Sequence, residues 1–252
     1  MNLLIAIPTY NEARHVDAVI EQVKPYCAEI LIVDDGSSDQ TPAILARRTD
    51  IRLLRHDPNQ GYGQSLIDAF GYAQRNGFDW VITMDADGQH EAESIPNFVE
   101  AIVTDEWDLI SGSRYLAAEG NDDLPPVERR NINFRITTVL NDAFGLELTD
   151  SFCGFKAHRT RAMVDLDLSE TGYAFPLQLW PRVWEHKLRM KEIAVPRIYN
   201  DPNRSFGAHL DDADRRYRHY LDVLNRELVR LGRSEVEPPR KSPISLGCGC
   251  RG

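Results

Sequence analysis

The chain has 252 residues and a formal net charge of −10, from 29 lysines and arginines against 39 aspartates and glutamates. Hydrophobic residues make up 42% and charged residues 27%, an ordinary composition for a folded globular protein. General nucleic-acid binding is disfavoured, because the phosphate backbone repels such an acidic chain. No apolar run reaches the roughly 18 residues that a membrane-spanning helix needs.

The first residues, MNLLIAIPTYNEAR, have no positive segment and become polar at Asn11, so they predict a strand and turn rather than a signal peptide. The isolated Cys27 and Cys153 are typical of reduced thiols. Cys248 and Cys250 lie in a glycine-rich tail without the second pair that a zinc site needs. We therefore expect a cytoplasmic protein.

Short apolar runs alternate with amphipathic helices over the first 115 residues. Asn11 and Thr41 are positioned to cap the first two helices. Gly61 precedes the third helix and Gly77 ends it. This alternation predicts βαβ units on a parallel sheet. The predicted strands cover residues 2–7, 29–33, 51–55, 80–84 and 109–112.

The alternation breaks after residue 115. Residues 127–144 predict a helix, 191–199 a strand-like return, and 211–231 a last helix whose Tyr217 and Leu224 share an apolar stripe. From residue 204 to 241, nine Lys/Arg stand against seven Asp/Glu, whereas the first 203 residues total −13. The last helix either docks on its own domain, the simpler interpretation, or makes peripheral contact with the anionic cytoplasmic face of the membrane.

Polar clusters follow three predicted strands, at residues 8–12, 34–38 and 85–90. Ligands of such sheets bind beyond the carboxyl ends of the strands, so the clusters predict a site there. Asp85 and Asp87 could both face a Mg²⁺ or Mn²⁺ ion. Gln89 would add an oxygen ligand and His90, less favoured, a nitrogen. The alternative is a strand end whose aspartates cap a turn.

Other candidate residues have both a functional and a structural interpretation. Asp34 could accept hydrogen bonds from a base or a ribose, or belong to a capping turn. The GYG turn at 61–63 could expose N–H groups to an anion or lead into a helix. Arg114 suits a phosphate, although a surface salt bridge is the simpler interpretation. Arg204, in the turn-rich residues 200–207, could close over a phosphate or lie in an ordinary loop.

These motifs, in this order, resemble the family 2 glycosyltransferases with the GT-A fold, and among them the dolichyl- and polyprenyl-phosphate sugar synthases. The resemblance runs from about residue 3 to residue 207. Its motifs are IPTYNEA (7–13), IVDDGSSDQT (32–41), GYGQSLIDAFGYA (61–73), MDADGQH (84–90), GSRY (112–115), TDSFCGFKAHR (149–159) and GYAF (172–175).

The resemblance implies an α/β fold of GT-A type, with a Rossmann-like, mostly parallel central sheet and helices on both faces. It implies one domain over residues 1–232, with a nucleotide half up to about 115, an acceptor half from about 116, and a flexible tail over 233–252. The implied reaction is an inverting, metal-dependent sugar transfer from a nucleoside-diphosphate sugar, of the GDP-mannose or UDP-glucose type, with Mg²⁺ or Mn²⁺ as cofactor.

The resemblance also implies roles for individual residues. Asp85 and Asp87, with Gln89, would hold the metal on the diphosphate. Arg114 would contact the phosphates or the acceptor, and Arg204 would sit on a closing loop. The nucleotide sugar would lie against Pro8, Tyr10, Glu12, Ile32, Asp34, Asp85, Ala86 and Asp87.

The chain departs from the family pattern at three places. Residues 153–156 are CGFK where the family often has SGFR. Arg129 is followed four residues later by Asn133, where the lipid-phosphate enzymes have serine. The sequence also shows no transmembrane pair of the kind that many bacterial members append.

The acceptor is predicted from the absence of a suitable base. A hydroxyl acceptor needs a carboxylate base, and the resemblance implies an acidic residue near the helix start at 172–178 for such an acceptor. This stretch offers Gln178 instead, which leaves Asp150 as the candidate base or as a loop cap. We therefore predict a pre-ionised acceptor, most simply a polyprenyl phosphate, with a hydroxyl of a soluble molecule or polysaccharide as the alternative.

Two other function classes remain as alternatives. A non-catalytic nucleotide-sugar-binding protein need not keep both Asp85 and Asp87. A nucleotidyltransferase usually has a glycine-rich and basic first loop, and PTYNEAR is poor in glycine.

Overall fold

The computed structural model describes residues 1–116, 127–198 and 212–237. Within these residues seven strands form one sheet: β1 (Leu3–Thr9), β2 (Ile30–Asp34), β3 (Arg52–Arg55), β4 (Trp80–Thr83), β5 (Leu109–Ser113), β6 (Lys156–Arg159) and β7 (Met190–Ala194). The same residues form eight α-helices: α1 (Val16–Val23), α2 (Thr41–Leu45), α3 (Tyr62–Arg75), α4 (Ile95–Val103), α5 (Val127–Phe144), α6 (Thr160–Val164), α7 (Phe175–Glu185) and α8 (Ala213–Arg230).

The strands lie in the order β3-β2-β1-β4-β6-β5-β7. Neighbouring strands pair in parallel except at β6, which runs antiparallel to both β4 and β5. The sequence did not predict β6, because its Lys156 and His158 are polar although they are only 4% and 1% exposed. A buried strand with such side chains has no apolar run or alternation that would reveal it.

Helices cover both faces of the sheet, because successive strand side chains point to opposite faces. Ala6 and Val33 pack with apolar residues of α3, α5, α7 and α8. Ile7 and Ile32 pack on the other face with residues of α1 and α4. The predicted fold class, a mostly parallel sheet between two helix layers, is confirmed.

The two predicted helix caps are wrong. Asn11 does not cap α1; its side-chain oxygen accepts hydrogen bonds from the backbone N–H groups of Ser38 (2.8 Å) and Asp39 (3.2 Å), and so ties the turn after β1 to the turn after β2. Thr41 is the first residue of α2, and the cap position belongs to Gln40. Asn11 therefore serves the polar turns at the carboxyl edge of the sheet rather than a helix end.

Three elements after residue 127 follow the prediction, whereas β6 and α6 were not predicted and α7 was predicted only as a helix start near residue 172. Helix α5 has the predicted bounds, and α8 lies within the predicted last helix. Strand β7 ends at Ala194, earlier than the predicted return. The apolar stripe of α8 is buried in the core that it shares with α5 and α7. This agrees with the interpretation that the last helix docks on its own domain. In the part of the chain that the structure describes, no helix is both long and apolar enough to cross a bilayer.

Candidate active site

A cavity of about 640 Å³ opens at the carboxyl ends of the parallel strands. Tyr10 follows β1, Asp35 follows β2, Asp85 follows β4 and Arg114 follows β5, and all four line the cavity. Helices α5, α7 and α8 form the opposite wall. The polar clusters that follow separate strands in the sequence therefore meet at one site, as the parallel topology predicts.

Asp35, rather than Asp34, faces the cavity at the end of β2. Ile32 and Asp34 are both fully buried and do not line the cavity. Residues two apart on a strand point to the same face, and for Ile32 this is the face covered by α1 and α4. Asp34 accepts a hydrogen bond from the backbone N–H of Ser37 at 3.0 Å and lies 3.3 Å from Arg55. Ile32 and Asp34 thus lie outside the cavity lining, and their nucleotide contacts stay predictions.

The Asp35 carboxylate organises the loop that leads into α3. It accepts hydrogen bonds from the backbone N–H groups of Gln60 (2.8 Å) and Gly61 (2.9 Å). His56 bridges it to Asp68, with ring nitrogens 2.7 Å from the Asp35 carboxylate and 2.9 Å from that of Asp68. A cavity-facing carboxylate is therefore held in place by its own turn, and the second aspartate of the DDG motif was the sequence signal for it.

The glycines of the GYG turn allow the start of α3 to approach another segment closely. A Cβ atom on Gly61 would clash with the carbonyl oxygen of Thr171, and one on Gly63 with that of Glu170. The N–H of Gln64 donates to the Thr171 carbonyl at 3.2 Å. Because this N–H donates to a carbonyl of the chain itself, the structure favours the interpretation that the GYG turn leads into a helix. It does not favour the interpretation that the turn binds an anion.

Asp85, Asp87 and Gln89 line the same side of the cavity. The Tyr62 hydroxyl donates to Asp85 Oδ1 at 3.2 Å, and Asp87 Oδ1 accepts from the backbone N–H of Gln89 at 2.9 Å. A Cβ atom on Gly154 would lie 2.8 Å from Asp85 Oδ2 and 2.9 Å from the Tyr62 hydroxyl, so a side chain there would displace these two groups. The carboxylates are thus oriented by the turn itself and by Tyr62.

His90 packs beside these residues. Its Nδ1 accepts a hydrogen bond from the backbone N–H of Asp85 at 3.0 Å, and its ring stacks on Phe155 at a centroid distance of 5.2 Å. Its Nε2 lies 3.9 Å from Asp85 Oδ2, and a nitrogen ligand from His90 stays the less favoured prediction.

The oxygens of Asp85, Asp87 and Gln89 form a donor set that Mg²⁺ and Mn²⁺ prefer. Over residues 1–116, 127–198 and 212–237, no group of three or more His, Cys, Asp or Glu side chains is placed to hold a metal ion. The side chains therefore fit an ion whose coordination is completed by substrate oxygens and water, and not a structural metal.

Cations also line the cavity, and Arg114 is held in place by a two-pronged ion pair with Asp150. Its Nε and Nη2 donate to the two Asp150 carboxylate oxygens at 2.7 and 3.0 Å. Asn133 Nδ2 also donates to this carboxylate, at 2.7 Å. Burial by itself raises the pKa of Asp150, but the Arg114 charge and these hydrogen bonds outweigh it and hold the pKa at about 2. Asp150 is fully buried behind Arg114 and does not line the cavity, so it orients the guanidinium and is not available as a base.

Lys156 contributes a second cation from β6. Its ammonium donates to the Cys153 carbonyl and lies 5.4 Å from the centre of the Trp180 ring. Burial lowers the pKa of Lys156 from its ordinary value, although Cys153 and Asp150 oppose this effect. Cys153 lies in the same wall and is a buried free thiol, as expected from the sequence.

Two further arginines reach the cavity from helices. Arg129 comes from α5 and Arg216 from α8, where it is only 5% exposed. Burial raises the pKa of Tyr220 to about 12 against the opposing charges of Arg216 and Arg129, so both arginines act on this part of the wall. Sequence reasoning missed Arg216, because it is one of many arginines on α8 and only the fold distinguishes it. Apolar lining residues surround these cations: Ile132, Phe152, Tyr173, Phe175, Pro176, Leu179 and Tyr220.

The comparisons with known proteins agree with this geometry. A model described as glycosyl transferase family 2 matches residues 4–166. An undecaprenyl-phosphate mannosyltransferase of Micrococcus luteus is 31% identical over 214 residues, which cover 81% of this chain and 87% of that protein. The chain belongs to glycosyl transferase family 2. It is therefore a glycosyltransferase, as the ordered motifs predicted.

Two other relatives of this glycosyltransferase are informative. A polyprenol monophosphomannose synthase of Mycolicibacterium smegmatis is 29% identical over 202 residues, covering 76% of each chain. The crystal structure of glucosyl-3-phosphoglycerate synthase from Mycobacterium tuberculosis, in complex with Mn²⁺, uridine diphosphate and phosphoglyceric acid, superposes with a TM-score of 0.67. That likeness covers 93% of this chain and 80% of the other at 17% identity, and it supports the GT-A fold.

The predicted site residues of the glycosyltransferase fall into three groups. Those that line the cavity are Pro8, Tyr10, Glu12, Asp85, Ala86, Asp87, Gln89 and Arg114. Ile32, Asp34 and Asp150 lie outside its lining. Arg204 is not among the residues that the structure describes, nor are Cys248 and Cys250, so their roles stay predictions.

Proposed function

We propose that this glycosyltransferase moves a sugar from a nucleoside-diphosphate sugar to a polyprenyl phosphate, with Mg²⁺ or Mn²⁺ on the donor diphosphate. The observation that carries the proposal is the division of charge in the cavity. Carboxylates line the cavity from the ends of β1, β2 and β4, and cations line it from the end of β5 and from β6, α5 and α8. A cation-bound diphosphate suits the first side, and an anionic acceptor suits the second.

On the donor side, Asp85, Asp87 and Gln89 would hold the ion. Pro8 and Tyr10, at the end of β1, would line the nucleotide. When bound, the ion would neutralise the negative charge that builds on the leaving diphosphate. The carboxylates need no proton transfer for this role, because they act as fixed charges.

On the acceptor side, Arg114, Arg129 and Arg216 would bind the acceptor phosphate. Asp150 holds two N–H groups of Arg114, so the remaining N–H groups of this guanidinium are oriented for a bidentate phosphate contact. A phosphate monoester has its second ionisation near pH 6, so the acceptor would arrive as a nucleophile that needs no enzymic base. This agrees with the state of Asp150, the base predicted for a hydroxyl acceptor, which is buried and ion-paired with Arg114.

With an ionised acceptor, the sugar transfer needs no proton transfer to or from the enzyme. An acceptor phosphate oxygen forms a bond to the anomeric carbon from the face opposite the donor diphosphate. The bond between the anomeric carbon and the diphosphate oxygen breaks, and its electron pair leaves with the diphosphate. Attack from the opposite face inverts the configuration at that carbon, and the cationic groups stabilise the charge in the transition state.

The relatives support the acceptor class, because the Micrococcus luteus and Mycolicibacterium smegmatis proteins are named for undecaprenyl phosphate and polyprenol monophosphomannose. A polyprenyl acceptor resides in a membrane, so the enzyme would work peripherally at the cytoplasmic membrane face. The Mn²⁺ and uridine diphosphate in the solved neighbour support the donor chemistry in general.

The test compares two acceptors that differ in one group. The purified enzyme is incubated with Mn²⁺ and a series of UDP- and GDP-sugars, with either a polyprenyl phosphate or the polyprenol of the same chain length. We expect nucleoside diphosphate release and glycolipid formation with the phosphate and neither with the alcohol. Equal transfer to polyprenol or to soluble sugar alcohols would contradict the acceptor class. Donor binding without any transfer would instead favour the non-catalytic nucleotide-sugar-binding alternative.

A further inference from the structure

Strand β6 directs two polar side chains toward the active-site cavity. Lys156 and His158 are two residues apart, so they point to the same face of the sheet. Their aromatic neighbours, Trp180 of α7 and Phe70 of α3, show that these two helices cover this face. Both polar side chains line the cavity although they are almost fully buried. A buried polar strand face at this position therefore belongs to the site and not to the apolar core alone.

The Lys156 ammonium has little to balance its charge within the protein. It donates to the Cys153 carbonyl, which leaves two of its three N–H donors without a hydrogen-bond partner among the described residues. No carboxylate oxygen in the described part of the chain lies within 4.0 Å of the ammonium. The cavity residue Arg114, by contrast, lies 2.7 Å from the carboxylate of Asp150. Lys156 is therefore a buried cation without a neighbouring counter-charge.

Such a cation lowers the stability of the free protein. A buried charge costs free energy unless an opposite charge and hydrogen bonds compensate it. Burial accordingly lowers the pKa of Lys156 from its ordinary value. His158 adds no compensation, because burial and the Lys156 charge hold its pKa well below the ordinary value and the ring is neutral. An anion that enters the cavity would supply the missing counter-charge.

The surrounding charges indicate which substrate anion this is. The carboxylate and the guanidinium that act most strongly on Lys156 are those of Asp150 and Arg114, the pair on the acceptor side. On the donor side, a divalent ion held by Asp85 and Asp87 would already neutralise the diphosphate and would repel an ammonium placed beside it. The charges therefore favour the acceptor phosphate over the donor diphosphate.

We propose that Lys156 binds the acceptor phosphate together with Arg114, and that its charge stays without a counter-charge until that phosphate enters. This inference rests on the proposed function and adds a binding residue to its acceptor side. It has a consequence that a structural lysine would not have. Removal of the charge should stabilise the free protein and weaken acceptor binding, whereas loss of a structural side chain would lower stability.

The variant that tests this is Lys156→Met, which replaces the ammonium with an apolar group in a side chain of similar length. We expect the thermal midpoint of the ligand-free protein to rise by about 3 °C. The acceptor KM should rise at least about tenfold, because a charged phosphate contact is lost. The donor KM and the Mn²⁺ dependence should not change.

The matched control is Lys191→Met, on β7 of the same sheet. The Lys191 side chain is exposed, its ammonium lies 5.8 Å from the centre of the Trp107 ring, and it does not line the cavity. It therefore has the same residue type and the same kind of aromatic neighbour as Lys156, without burial. We expect neither a higher thermal midpoint nor a changed acceptor KM.

A binding measurement that needs no turnover separates the two phosphates. The thermal midpoint is measured with geranyl phosphate, with geraniol, and with UDP plus Mn²⁺. Geranyl phosphate, but not geraniol, should stabilise the wild type and Lys191→Met, and this stabilisation should be lost in Lys156→Met. UDP with Mn²⁺ should stabilise all three proteins equally.

Three results would overturn the proposal. One is a Lys156→Met protein that is less stable than the wild type or does not fold. Another is an unchanged stabilisation of this variant by geranyl phosphate. The third is loss of the stabilisation by UDP with Mn²⁺ instead, which would assign Lys156 to the donor diphosphate.

The proposed function and the Lys156 assignment fail in different ways. A wild type that is stabilised by geranyl phosphate but transfers no sugar to polyprenyl phosphate contradicts the proposed function alone. Transfer by the wild type with an equal acceptor KM in Lys156→Met contradicts the Lys156 assignment alone. A wild type that neither binds geranyl phosphate nor transfers to polyprenyl phosphate contradicts both.

Discussion

The two sides of the cavity hold their charges in different ways. On the donor side, the Asp85 side chain is 29% exposed and is oriented by the Tyr62 hydroxyl, so it stays open to a cation. On the acceptor side, Arg114 is bound to Asp150, whose side chain is fully buried. A donor carboxylate can therefore be removed with little effect on the fold, whereas the acceptor pair contributes to both binding and stability.

The largest effect is expected for Asp87→Ala on the donor side. Activity should fall by about 10³-fold or more, because the charge on the leaving diphosphate loses its counter-ion. The free energy of unfolding should change by about 1 kcal/mol, because the turn loses the hydrogen bond from the Gln89 N–H to Asp87 Oδ1. Initial rates, urea unfolding and electron paramagnetic resonance of Mn²⁺ in the presence of UDP measure these effects. Asp142→Ala, at an exposed position of α5, is the control. Unchanged turnover in the variant, or full wild-type activity in excess EDTA, would contradict the metal assignment.

The next effect concerns the acceptor side, in Arg114→Lys. A lysine keeps the charge but cannot make the two-pronged contact with Asp150, so the phosphate-binding group loses its orientation. We expect about a 10²-fold loss in kcat/KM for the acceptor, with donor affinity unchanged, and a loss of about 2 kcal/mol in the free energy of unfolding. Acceptor and donor KM values and urea unfolding separate these effects. A raised donor KM with an unchanged acceptor KM would contradict this assignment and would show that Arg114 contacts the donor.

The two sides also differ in how far the sequence predicted them. Asp85 and Asp87 follow an apolar strand and could be identified directly, because a strand end in a parallel sheet points to the site. Arg216 could not be identified, since its approach to the cavity depends on how α8 packs. Asp34 was chosen over Asp35 because an aspartate pair at a strand end does not reveal which residue turns inward. Strand β6 was missed because it contains polar residues. These residues are buried only in the folded chain, and no hydrophobic pattern in the sequence indicates it.

The pH dependence of stability is the third test, and it isolates Asp150. The folded pKa of Asp150 is about 2, below its ordinary value. The ion pair therefore adds stability at a pH above the ordinary value, and this contribution is lost as the pH falls through the folded pKa. We expect Asp150→Asn to be less stable than wild type near neutral pH, by on the order of 2 kcal/mol. The difference should narrow as the pH falls from 5 towards 2, and urea unfolding along this series measures it. A constant difference across the series would show that the carboxylate is not held in its charged form by Arg114.

The smallest expected effect, Tyr62→Phe, examines how the donor carboxylates are positioned. The Tyr62 hydroxyl contacts Asp85, and the ring stacks on Tyr173 at a centroid distance of 5.7 Å, so phenylalanine keeps the packing and removes only the hydrogen bond. Groups that orient metal ligands typically affect metal affinity by 10- to 100-fold. Because Asp85 is also held by its backbone turn, we expect the lower end, about a tenfold increase in the Mn²⁺ concentration needed for half-maximal activity.

The matched control is Tyr72→Phe on the same helix, where the hydroxyl accepts from Arg52 at 3.2 Å and does not line the cavity. Direct Mn²⁺ binding in the presence of UDP should weaken in Tyr62→Phe and stay unchanged in Tyr72→Phe, with acceptor KM unaffected in both. Gly154→Ala should disturb the same hydrogen bond, because its methyl group would press on Asp85 Oδ2 and on the Tyr62 hydroxyl. If Tyr62→Phe changed the acceptor KM and left Mn²⁺ binding intact, the division between a carboxylate side and a cation side would not describe how the cavity works.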